Sequence, residues 1–151
     1  MSTLAKTLFT GSEERVLDDK GRVTLLADWR TGFSEQDQFL ATPAPGGYIS
    51  VLPPAEVQKL HDKFAEIPLN DAEAQDELAA FSAASQTITF DKQGRISLKP
   101  SLLQYAGISK EVVLAGSFSK FNIYSPARWA EIQAKRTQTG GMSGFLGRYK
   151  I

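Results

Sequence analysis

The chain has 151 residues, with 17 Lys/Arg against 17 Asp/Glu, 42% hydrophobic residues and no cysteine. That length and apolar content suit a single globular core, and the lack of cysteine excludes a disulfide framework and thiolate chemistry. No apolar run reaches the ~18–20 residues that span a bilayer, and "MSTLAKTLFT" lacks the hydrophobic stretch of a secretory signal, so a soluble, cytoplasmic protein is expected.

The zero net charge is a sum of unlike halves. Residues 1–75 hold 7 Lys/Arg and 12 Asp/Glu, whereas residues 76–151 hold 10 and 5. From residue 92 onward the only acids are Glu111 and Glu131. A basic region of this kind attracts a polyanion, or it meets the acidic stretch 56–77 of a neighbouring subunit. Composition leaves both readings open.

In chain order, "ERVLD" (14–18) and "RVTLL" (22–26) read as short strands joined by a tight reversal. Gly21 supplies a positive φ there, and Asp18 can bond the backbone two residues on. Residues 27–32 form a short helix ending at Gly32. "QFLAT" and "GYISVL" form a strand pair around "PAPG". Pro53-Pro54 then opens a helix over 54–66, with Val57, Leu60, Phe64 and Ile67 on one face. Residues 68–85 form a second helix, with Asn70 as N-cap and acids in its first turns.

The plan then recurs: "QTITF" as a strand, "DKQG" as a turn, "RISL" as a strand, "PSLLQYAG" as a short helix, two strands in "EVVLAG" and "KFNIYS", and a helix opened by Pro126. An offset of 73 places Asp18 on Asp91, Gly21 on Gly94, Arg22 on Arg95, Leu25 on Leu98 and Pro53 on Pro126. This is an internal duplication of a folding unit. Residues 137–151, with four glycines and no helical period, read as a mobile tail.

The unit "LDDKGRVTL" (17–25), repeated as "FDKQGRISL" (90–98), carries the chemistry. The bland reading is an Asp that braces a turn and pairs with an Arg, adding little stability. The sharper reading is an Asp that holds the Arg rigid, so that its fork meets phosphate or a guanine edge. Lys20 adds a point charge in the first copy. The second copy has Gln93 there and Lys92 beside it. It is either a second DNA loop or a contact to a neighbouring subunit.

With this duplicated turn, Phe9-x-Gly11 upstream and "FDKQGRISLKPSLLQYAGISKEVVLAGSFSKFNIYSPARW", the chain resembles the MraZ family over about residues 9–135. These are bacterial regulators related to AbrB-type DNA-binding proteins. Leu26 and Thr10 depart from the family pattern, at places where a proline and a basic residue are usual. The resemblance implies an α+β fold: two tandem copies of a hairpin, short helix and hairpin unit, closed into one swapped-hairpin barrel with a pseudo-twofold axis and flanking helices. The segments are an N-terminal extension (1–8), a first repeat (9–67), a linking helix (68–85), a second repeat (86–136) and the tail (137–151).

The resemblance further implies a repressor that assembles into a homo-oligomeric ring and binds short direct repeats in the promoter of the division and cell-wall gene cluster. Its DNA-binding residues are Lys20, Gly21, Arg22, Lys92 and Arg95, with Asp18, Asp91 and Gly94 bracing the turns. The partner is double-stranded DNA, the location the cytoplasm and nucleoid, and no cofactor, metal or small-molecule ligand is expected. The alternative is a ring-forming interaction protein whose turns serve assembly. An enzyme is disfavoured. His61 stands alone on an amphipathic helix, Glu13-Glu14 and Asp18-Asp19 have no nucleophile near them, and no phosphate-binding glycine motif is present. Trp29, Phe39, Tyr48, Phe118, Phe121 and Trp129 read as core or subunit contacts.

Overall fold

The computed structural model describes residues 7–151, so most of the expected N-terminal extension lies outside the described residues. The chain runs β1 (Ser12–Val16), β2 (Arg22–Thr24), α1 (Ala27–Arg30), β3 (Phe39–Ala44), β4 (Tyr48–Leu52), α2 (Pro54–Phe64), α3 (Ala72–Ala84), β5 (Gln86–Ile88), β6 (Arg95–Ser97), α4 (Pro100–Tyr105), β7 (Glu111–Gly116), β8 (Phe121–Tyr124), α5 (Pro126–Gln138) and α6 (Gly141–Arg148). This is a mixed α+β architecture. No helix among the described residues is long and apolar enough to cross a membrane.

Six strands form one sheet in the order β1-β7-β8-β4-β3-β5, and β2 pairs with β6 in a separate ribbon. Every pairing is antiparallel. Exchanging the equivalent strands of the two copies (β1 with β5, β3 with β7, β4 with β8) reverses the order and leaves it otherwise unchanged. The ribbon register centres on Val23 opposite Ile96, which are themselves equivalents. The strand-pairing pattern is therefore symmetric under exchange of the two copies.

One sequence expectation needs correction. The reversal at residues 18–21 forms, but β1 and β2 do not go on to pair with each other. β1 pairs with β7 and β2 with β6, both in the other copy. Turn chemistry is local and visible in sequence, whereas the strand that covers each edge lies some 75 to 100 residues away.

Strand alternation sorts the sheet into two faces. One face presents Phe39, Ala41, Ile49, Val51, Val112, Leu114, Phe121 and Ile123 to the main core, shared with Val23, Leu25, Trp29, Ile96 and Leu102. The β2–β6 ribbon, α1 and α4 thus lie on that side. The other face carries α2, α3 and α5: Val113, Ala115 and Tyr124 pack against Trp129 and Ile132, while Leu40 shares a cleft with Val57, Leu60, Phe64 and Phe81. Trp29 is the keystone of the core. Its ring stacks 4.8 Å from Phe121 and meets Phe9 edge-on at 5.9 Å, and its Nε1 donates to the Thr10 carbonyl at 2.8 Å.

Smaller corrections follow from local chemistry. Asp71, not Asn70, caps α3, accepting from the Ala74 N–H at 3.1 Å. Phe118 is no core residue. It sits exposed at the β7–β8 loop with φ of 69°. Residues 137–151 are not an unstructured tail but hold the end of α5 and the whole of α6. Gly140, at φ 93°, breaks the helix between them. A Cβ at Gly144 would strike the Thr139 carbonyl oxygen, so this glycine permits close helix crossing. Arg148 Nη1 caps the same carbonyl at 3.1 Å.

Trp29→Ala removes a fully buried aromatic and is expected to cost ~3–5 kcal/mol in urea unfolding. A loss below ~1 kcal/mol would contradict the place given to Trp29 in the core.

Candidate nucleic-acid interface

The two repeated turns are built alike. In the first, Asp18 Oδ1 accepts from the backbone N–H groups of Lys20 and Arg22, both at 2.9 Å, and Oδ2 accepts from Arg22 Nε at 2.6 Å. In the second, Asp91 Oδ1 accepts from Gln93 N–H and Arg95 N–H at 2.9 Å, and Oδ2 from Arg95 Nε at 2.9 Å. The main chain closes each turn: Gly21 N–H donates to Asp18 O at 3.0 Å, and Gly94 N–H to Asp91 O at 2.9 Å. Gly21 and Gly94 hold φ of 74° and 78°, the left-handed region that disfavours a side chain. The expected bracing roles of Asp18, Asp91 and Gly94 have a geometric basis here.

The carboxylates grip the Nε side of each guanidinium. In Arg22 this leaves both Nη groups without a protein partner among the described residues. In Arg95, Nη2 also donates to Gln93 Oε1 at 3.3 Å. A guanidinium held on one edge presents its other edge as a planar pair of donors, the geometry that matches phosphate oxygens or guanine O6 and N7.

The ribbon brings the two arginines together. Val23 and Ile96 point into the core, so Arg22, Thr24, Arg95 and Ser97 occupy the opposite, outward face. Arg22 stands opposite Ser97, and Arg95 opposite Thr24. The arginines are therefore diagonal neighbours, ~7–8 Å apart along the backbone. Both keep 29% of their side-chain surface exposed. Lys20 and Lys92 are exposed on their respective turns. All five residues expected to bind DNA thus sit on or beside one ribbon.

Two further features were missed in the sequence. A groove of about 570 Å³ runs beside the first turn, from Lys20 and Gly21 to Ser109 and Lys110. Lys110 reaches it because its carbonyl accepts from Leu17 N–H at 2.8 Å. Arg15 on β1 donates from Nε to the Thr24 carbonyl at 3.2 Å, at the ribbon's edge. No motif marks either residue; the approach of β1 to β7 brings Lys110 to the first turn, and the reversal at 18–21 folds Arg15 back beside Thr24.

Both turn carboxyls titrate below their ordinary value of 3.8. The main cause is the backbone N–H of the Arg in each turn, opposed by desolvation and reinforced by the Arg side chain and a second backbone N–H. A lowered folded-state pKa stabilises the turn above the ordinary Asp range, and that contribution disappears as pH falls through the lowered value. Carboxyl NMR titration should place Asp18 and Asp91 below 3.8. In Arg22→Ala, Asp18 should stay below 3.8, because both backbone donors remain. A return to 3.8 in that variant would assign the effect to the side chain instead.

Comparison with known proteins places the chain among its relatives. Residues 80–142 match the family model described as "MraZ protein, putative antitoxin-like". A protein of Natranaerobius thermophilus is 35% identical over 83% of this chain and 87% of its own length. One from Limosilactobacillus fermentum is 32% identical over 83% and 87%. One from Paenarthrobacter aurescens is 30% identical over 92% of this chain and 100% of its own length. Each bears the name "Transcriptional regulator MraZ", which describes a regulator and not an enzyme. At this identity and coverage, the chain belongs to the MraZ family.

Proposed function

We propose that this chain is a sequence-specific, DNA-binding transcriptional regulator that acts as a repressor. The observation that carries the reading is the pair of Asp-clamped guanidiniums on one outward face. A clamped Arg loses little side-chain freedom on binding, and its free edge recognises phosphate or guanine. Lys20 and Lys92 add phosphate contacts, and Lys110 stands at the far end of the groove beside the first turn. The names of the relatives support the regulatory role. The finer target, direct repeats in the promoter of the division and cell-wall gene cluster, and the nucleoid location rest on the family resemblance.

The cross-copy pairing of β2 with β6 fits a swapped-hairpin barrel in which both halves of a dimer are fused in one chain. Arg22 and Arg95 are too close to enter successive major grooves, which lie ~34 Å apart. One chain therefore addresses one site, and neighbouring chains in a ring address successive direct repeats. Two surfaces on the helical side favour such a ring. α6 exposes Met142 and Phe145, Tyr149 just beyond it is also exposed, and Leu69 at the α2–α3 junction is 91% exposed. Residues 56–77 carry 7 Asp/Glu and 2 Lys, while 126–151 carry 5 Lys/Arg and Glu131 alone. Two unlike, complementary surfaces make a head-to-tail contact, which closes rings. This same observation supports the second reading, an assembly protein without a DNA role.

A gel shift with the DNA upstream of the chain's own gene, run across a salt series, separates the two. Release of counterions from a few phosphates predicts steep loss of affinity with salt. Arg22→Ala should abolish binding and leave the assembly mass unchanged. Loss of the assembly in that variant would favour the second reading, and unchanged DNA binding would remove Arg22 from the site.

A further inference from the structure

The two turns differ in what lies beneath their glycines. At the first, a Cβ built on Gly21 would sit 3.8 Å from Leu103 Cδ1, an ordinary apolar contact. At the second, a Cβ on Gly94 would collide with Nη1 and Cζ of Arg30 and lie 2.6 Å from its Nε. The Arg30 guanidinium is thus laid against the Gly94 backbone, and Gly94 is buried where Gly21 is half-exposed. Arg30 and Leu103 are equivalent positions of the repeat, 73 residues apart. Because the copies interlock, the helix of the first copy packs against the turn of the second.

Packing alone does not require an arginine there, since Leu103 performs the same task at the first turn. The arginine also carries a local cost. Its Nε is buried without a hydrogen-bond partner, and no carboxylate pairs with Arg30 among the described residues. It lies against Gly94 with no acidic partner, so the free protein gains no ion pair from it.

The charge makes sense when the turns are compared. The first turn carries Lys20 over Leu103, whereas at the matching positions the second carries Gln93 over Arg30, with Lys92 beside Gln93. Gln93 is occupied as an acceptor for Arg95 Nη2. We propose that Arg30 is a further DNA-contacting residue: its guanidinium binds a backbone phosphate at the second turn, in the role that Lys20 fills at the first. The first half of the binding face then holds clamped Arg22 with Lys20, and the second holds clamped Arg95 with Lys92 and Arg30. This inference rests on the DNA-binding reading above.

The test is Arg30→Leu, which copies the side chain found at position 103 and removes only the charge. Its binding to a duplex of the upstream region, and to a scrambled duplex of equal length, is measured across a salt series. Melting temperature is recorded in parallel. The expected result is an unchanged melting temperature, weaker binding to both duplexes by a similar factor, and a salt slope reduced by about 1. Arg30→Lys should restore most of the slope. Arg30→Gln serves as the neutral variant should the leucine form melt early. Wild-type affinity and slope in a folded neutral variant would overturn the proposal and leave the DNA-binding reading standing. A wild-type chain that binds neither duplex would overturn both.

Discussion

Neither copy of the repeat can pair the strand that follows its own turn. β2 and β6 are three residues each, too short to persist without a partner, and their partner is each other. The pairing is sealed at both ends by reciprocal bonds: Leu98 N–H donates to the Gly21 carbonyl at 3.1 Å, and Leu25 N–H to the Gly94 carbonyl at 2.9 Å. Val23 and Ile96 lock the ribbon onto the core from beneath. Strand periodicity then dictates the rest. With those two side chains inward, Arg22 and Arg95 must point outward and to the same side. A slip of one residue would bury both arginines and expose both apolar residues, so the register is tightly specified.

The Asp carboxylates act within this frame. Each collects two backbone N–H groups and one guanidinium edge, and so fixes turn and arginine with one group. The clamp is exposed, and its value is orientation rather than stability. The opposite side of the six-stranded sheet bears α2, α3 and α5, whose outer faces are incompletely covered. The sheet thereby separates the ribbon that carries Arg22 and Arg95 from these helices, as the proposed function requires if binding and assembly are not to compete for one surface.

Much of this was legible in the sequence. The 73-residue offset, the Asp-x-x-Gly-Arg turns, the proline-opened helices and the burial of Trp29, Phe39 and Phe121 all follow from local chemistry and periodicity. What failed was non-local or compensated. β1 and β2 flank a reversal that looks like a hairpin, yet each finds its ladder in the other copy. The glycines near the C-terminus looked like a mobile segment, but Gly144 serves the close approach of α6 to the end of α5. Arg30 carried no signal at all in a single repeat. Its meaning lies in its difference from Leu103 and in a contact that only the interlocked fold creates.

The central claim is that both turns form one DNA-reading face. Its most direct measurement is an amide NMR titration of the labelled chain with a duplex from its upstream region. The account predicts concerted shifts at Lys20–Thr24 and Gln93–Ser97, extending to Arg30, with α5 and α6 little affected. Shifts confined to one turn, or centred on the C-terminal helices, would contradict it.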